Sequence, residues 1–225
     1  LSFVSFLWAA PPPSNWVPMR WNWSDAQSLE LISGTPVNCL LLRSYTAEFV
    51  QKAAARGIVT LALIPHDADP VSEARKAAAA KTDGVVLEGD FPAGTAEKLK
   101  GLGCGKVIEL PSRNHMQLGT DAPVIGSYQG VWPGIQIEQN GAAKAGPSGS
   151  PWIDTNTGFL RAARAWGDTP VWIANQPPAK TVITGEGYLH AIADAAISGA
   201  RWVVALDDDF AGRLAGHQEA ATKDW

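Results

Sequence analysis

Cysteine is nearly absent: Cys39 and Cys104 are the only two in 225 residues. With neither a CxxC pair nor zinc-ligand spacing, a disulfide framework is excluded and structural zinc is unsupported. The 18 Lys and Arg against 22 Asp and Glu give a formal charge of −4. They form no basic stripe that could neutralise a phosphate backbone, which argues against nucleic acid as a partner. No apolar run approaches the roughly 20 residues of a membrane-spanning helix, so no membrane span is expected. A GxSxG elbow, a P-loop and an HExxH pair are all missing, so a Ser or Cys nucleophile, a phosphate loop and a zinc hydrolase lack support. No metal and no cofactor are implied.

The residues present describe a globular chain, 46% hydrophobic and 18% charged, far from the profile of disorder. A helix-like segment that ends at Gly or a turn and runs into a short apolar strand recurs six times, as ISGTPVNCLLL, ARGIVTLALI, KTDGVVLEG, GLGCGKVIEL, AWGDTPVWIAN and SGARWVVALDD. Gly closes the helix in a left-handed conformation. The strand is apolar throughout because a parallel strand is covered on both faces. Strands are expected at residues 2–8, 36–42, 58–64, 84–88, 106–110, within 123–137, at 170–175 and at 201–206. Eight parallel strands alternating with helices predict an α/β fold, a single-domain (β/α)8 TIM-type barrel over 1–225. The segment 126–151, with its NGAAKAGPSGS run, is a long loop on the C-terminal, functional face.

Local signals support the helices. Ser24 with Gln27 reads as a capping box, Asp69 before Pro70 as a cap and first-turn proline, and Thr184 before Glu186 as another cap. Ala47, Val50 and Ala54 share one helical face, as do Leu189, Ile192 and Ala196, and these faces are expected to lie on the sheet. The opening LSFVSFLWAA has no preceding basic region and reads as a first strand rather than a secretory leader.

In a barrel, polar residues at strand ends are the candidates for function. Glu88, which ends VVLEGD with Asp90 two residues on, is the candidate general acid, and Asp207 or Asp208 the second carboxylate. Glu109 on the next strand is another possible partner for Glu88. Arg20, Arg43 and Arg113 follow expected strands, where they could bind an anion or neutralise the rim carboxylates. His66 beside Asp67, together with Gln129 and Asn175, completes the polar set for substrate binding.

Tryptophan is enriched, ten against three Tyr and six Phe, and its rings stack on sugars as well as filling cores. Trp8, Trp132 and Trp152 are placed for stacking, whereas Trp166, Trp172 and Trp202 are expected in the core. Strands ending in carboxylates, Trp-rich loops and a glutamate at the end of the fourth strand together resemble the barrel domains of glycoside hydrolases. The resemblance implies that Glu88 is the acid/base and that the seventh strand carries the nucleophile. Here that strand reads VWIANQPP, with Asn175 and Gln176 at the position, so the second carboxylate moves to Asp207 or Asp208. The expected function is a glycoside hydrolase-like barrel acting on carbohydrate through paired carboxylates. The alternatives are a non-catalytic glycan-binding or structural barrel, or a lyase or isomerase acting on an anionic small molecule. The apolar start and Trp-rich rim lean toward a secreted or periplasmic location.

Overall fold

An apolar run such as VTLALIP has no polar face to turn to water, so it needs a covering layer on each side. A closed ring of strands wrapped in helices meets that need. The computed structural model describes residues 10–118, 121–133, 135–137, 143–145 and 155–225. Its strands are β1 (Pro18–Trp21), β2 (Cys39–Leu42), β3 (Val59–Pro65), β4 (Gly84–Glu88), β5 (Lys106–Leu110), β6 (Ile125–Ser127), β7 (Ile135–Ile137), β8 (Ala143–Ala145), β9 (Val171–Ala174) and β10 (Ala200–Val203). Strands β1 to β5 pair in sequence order, all parallel, and β9 lies parallel between β6 and β10.

Two seams join these sheets. The Arg20 amide donates to the Val204 carbonyl at 2.7 Å and the Val204 amide to the Pro18 carbonyl at 3.2 Å, which links β10 to β1. Opposite, the Tyr128 amide donates to the Pro111 carbonyl at 3.3 Å. At this seam a Cβ on Gly126 would overlap the end of the Leu110 side chain, so glycine lets β6 approach β5 without displacing that side chain. Eight parallel strands, β1 to β6 with β9 and β10, make a (β/α)8 TIM-type barrel. Inside the 126–151 connection, which leaves the C-terminal end of β6, β7 and β8 pair antiparallel.

The outer layer is α1 (Ala47–Ala55), α2 (Pro70–Ala80), α3 (Thr95–Lys100), α4 (Asn156–Arg164), α5 (Gly185–Ile197), α6 (Asp208–Ala215) and α7 (Glu219–Asp224). After β1 and β5 it is reduced to 3-10 segments, Ala26–Ile32 and Arg113–His115. No helix among the described residues is long and apolar enough to cross a membrane. Leu41, Leu61, Val86, Ile108, Trp172 and Val203 fill the lumen. Trp16, just before β1, forms its floor, with its ring centroid 6.0 Å from that of Trp172 and its indole N–H donated to the Pro11 carbonyl at 2.8 Å.

Several sequence expectations change. The strand at 2–8, with Trp8, lies outside the described residues, and the first described strand is Pro18–Trp21. Four residues that include Pro and Arg carry no apolar run to reveal it. On α5 the buried side chains are Tyr188, Ala191 and Ala195, while Leu189 is 66% and Ile192 40% exposed, so the expected face is turned outward. Small alanines let the helix lie close to the sheet, and Tyr188 is drawn inward by its hydroxyl contacts to Asp207. On α1, Phe49, Val50 and Ala53 are buried, so of the expected face only Val50 is inside. Asp25 rather than Ser24 caps its segment, accepting the Ser28 N–H at 3.0 Å. Asp69 and Thr184 cap as expected.

Trp16→Ala would empty the lumen floor. It should lower unfolding stability by about 3–5 kcal/mol, read as a reduced denaturation midpoint with an unchanged slope.

Candidate binding site at the barrel mouth

The register of the first strands decides what faces the ligand side. Arg20 pairs with Leu41, and Leu41 with Leu61, both lumen residues, so Arg20 points into the barrel and not along a rim loop. Arg43 is the first residue after β2 and is exposed. The two arginines line one cleft of about 430 Å³, with Leu41 and Leu63 beneath them. Its walls include Asn22, Trp23 and Ser24 after β1 and Ser44 after β2. Gln176 after β9 and Asp208 after β10 line the same cleft. These are C-terminal strand ends throughout.

Glu88 ends β4, across the lumen from β1, and its carboxylate takes both terminal nitrogens of Arg20. One of these contacts, from Nη1 to Oε2, measures 3.0 Å. The pair is buried, with side chains 9% and 12% exposed, so breaking it would strand a charge in a poorly solvated place. Burial, and secondarily the nearby Arg43 charge, lower the Arg20 pKa to about 10. It remains a cation at neutral pH. A carboxylate gripped by a guanidinium has both oxygens occupied as acceptors, whereas a general acid must present a proton to its substrate.

The other expected carboxylates separate. Asp207 is buried as the N-cap of α6, accepting the Phe210 N–H at 2.9 Å, the Ile183 N–H at 3.1 Å and the Tyr188 hydroxyl at 2.8 Å. Burial, the largest cause, raises the Tyr188 pKa; the Asp207 backbone N–H lowers it, and the Asp207 carboxylate raises it. Asp209 pairs with Arg213 at 2.8 Å. Asp208 is exposed and lines the cleft. Glu109 pairs in register with Leu87 while its neighbours Ile108 and Leu110 face the lumen, so it points to the outer layer, away from Glu88. There partial burial raises its pKa, which Lys100 counteracts and Glu97 reinforces.

Asp90 does not continue the Glu88 face, because Gly89 at φ +116° breaks the pleat and brings the chain against His66. One Asp90 oxygen accepts the Ser112 N–H at 2.7 Å, the chief cause of its lowered pKa. The other lies 3.0 Å from His115 Nδ1, which is 2.9 Å from Ser112 Oγ. Serine and aspartate thus meet the same ring nitrogen, whereas a nucleophilic relay uses the two nitrogens separately. The cluster holds a turn.

Arg113 contacts Asn156 Oδ1 at 3.2 Å and lies over the Phe159 ring at 4.5 Å, outside the cleft. Gln129 accepts the Arg113 backbone N–H at 2.9 Å, and the Asn175 amide donates to the Gly130 carbonyl. Trp132 is core rather than a sugar platform: it is 4% exposed, 4.9 Å from Trp202 and 5.6 Å from Tyr188. Trp166, expected in the core, is exposed. His66 is exposed beyond β3 and is not a lining residue, and Trp152 lies outside the described residues. Sequence reasoning missed Asn22, Trp23, Ser24 and Ser44; the WNWS run straight after PMRW was the available signal. Among the described residues, no three His, Cys, Asp or Glu are grouped to hold a metal ion.

No family model matches the chain and no curated protein matches it. Among solved structures, a mutant tryptophan synthase alpha-subunit from a hyperthermophile, Pyrococcus furiosus, is similar. It is 13% identical over 93% of this chain and 94% of that one, with a TM-score of 0.47.

Three substitutions separate structural carboxylates from ligand-facing ones. Glu88→Gln leaves Arg20 buried without its counter-charge and should cost about 3–5 kcal/mol in urea unfolding. Asp207→Ala removes a cap and leaves the Tyr188 O–H without its acceptor, for an expected loss of about 2–4 kcal/mol. Asp208→Asn should change stability by less than about 0.5 kcal/mol.

Proposed function

We propose that this barrel binds a small anionic molecule in the cleft at its C-terminal rim, with Arg43 as the principal contact and Arg20 behind it. It takes up the anionic small molecule of the lyase or isomerase alternative and assigns no reaction to it. The observation that carries it is the pairing of the two guanidiniums in one cleft, where Arg20 is matched by Glu88 and Arg43 has no carboxylate partner among the described residues. An exposed arginine beside a second cation has an unused fork of donors suited to a carboxylate or phosphate.

Paired-carboxylate hydrolysis has less support. It needs a proton-bearing acid and a base or nucleophile facing one bond, roughly 5–9.5 Å apart. Glu88 is engaged by Arg20, Asp207 by a helix cap and its neighbours, and Glu109 faces the outer layer. That leaves Asp208 as the carboxylate lining the cleft. The polar walls and Trp23 favour a ligand bearing hydroxyl groups, so part of the carbohydrate expectation carries over to the anionic reading.

Calorimetric titration with acetate and inorganic phosphate at low ionic strength tests the proposal. Arg43→Ala should weaken anion binding by about tenfold or more, Arg43→Lys should restore only part of it, and Asp208→Asn should strengthen it by removing a like charge. Neutral sugars binding more tightly than either anion, with no response to Arg43→Ala, would refute the reading.

A further inference from the structure

Resting on the anion reading above, we infer that the ligand of this cleft is a hydroxylated monocarboxylate, a sugar acid, and not a phosphate ester. Of the two cations, Arg20 is already neutralised by Glu88, so Arg43 is the one cation without a carboxylate partner among the described residues, and Asp208 adds a negative charge to the lining of the same cleft. A phosphate monoester near its dianionic form is therefore under-matched, while one carboxylate on one planar guanidinium is matched in charge and in fork geometry.

Phosphate sites often use a helix N-terminus, where free N–H groups and the helix dipole favour an anion. Here the helix that meets the cleft is α6, and its cap and first turn are Asp207, Asp208 and Asp209. Asp207 already accepts the Phe210 N–H, and the three carboxylates repel further negative charge. Phosphate has no cradle there.

Asn22, Ser24, Ser44 and Gln176 are exposed at the cleft, and none of their side chains has a hydrogen-bond partner among the described residues. Each can both donate and accept, which is the requirement for reading hydroxyl groups. Trp23 is half-buried, fixed by an edge-on contact with Trp21 at 4.7 Å, and gives the cleft an aromatic surface for the C–H face of a sugar ring. The cleft volume of about 430 Å³ falls within the range of small-molecule sites, so one sugar ring with its carboxylate is a reasonable fit.

Calorimetric titration of the whole chain with D-glucuronate, acetate, D-glucose and glucose 6-phosphate tests the inference. D-Glucuronate should bind about tenfold more tightly than acetate or D-glucose. Trp23→Leu and, as a milder change, Ser44→Ala should each bring its affinity toward that of acetate while far-ultraviolet circular dichroism stays that of the parent. Glucose 6-phosphate binding more tightly than glucuronate, or acetate binding equally well, would overturn the sugar-acid inference and leave the anion reading standing. Failure of all three anions to bind, or binding insensitive to Arg43→Ala, would overturn both.

Discussion

Across the mouth of the barrel, the guanidinium of Arg20 on β1 grips the carboxylate of Glu88 on β4, and the chemistry available at the rim follows from that contact. Two charges held this far from water are tolerable only together, since the attraction between them offsets the loss of hydration. The arginine stays charged, because even with burial and Arg43 nearby its pKa falls only to about 10. The carboxylate stays engaged. What would otherwise read as a lone acid at a strand end becomes half of an internal brace.

That brace sets the roles of its neighbours. With Arg20 neutralised, Arg43 is left as the free positive charge of the cleft and Asp208 as the opposing negative one. The other polar residues at strand ends are occupied in building the rim: Asp207 caps α6 and anchors Tyr188, Asp90 holds the 112–115 turn, and Gln129 and Asn175 bind backbone groups around β6. A rim rich in carboxylates by sequence therefore presents little free negative charge to a ligand.

The alternation of apolar strands and capped helices made the barrel legible, and β2 to β5 with β9 and β10 fall where the repeat puts them. Strand β1 was hidden because PMRW has no apolar run and its arginine points into the lumen. Glu88 and Arg43 were visible as strand-end residues, but the Arg20 partner lies 68 positions from Glu88, a pairing set by ring closure and not by any local pattern. The inward face of α5 is ambiguous in the sequence for a related reason. Its period fits both Leu189 with Ile192 and Tyr188 with Ala191, and the choice falls to a hydrogen bond with Asp207, 19 residues away. Parity along β5 could have excluded Glu109 from the lumen, since Ile108 and Leu110 are both apolar.

A crystal structure with bromide exchanged into the solvent, read in an anomalous difference map, tests the central claim most directly. The account predicts a bromide peak against the Arg43 guanidinium while Glu88 remains paired with Arg20. A cleft without bromide, with Glu88 released from Arg20 and turned toward Asp208, would contradict it.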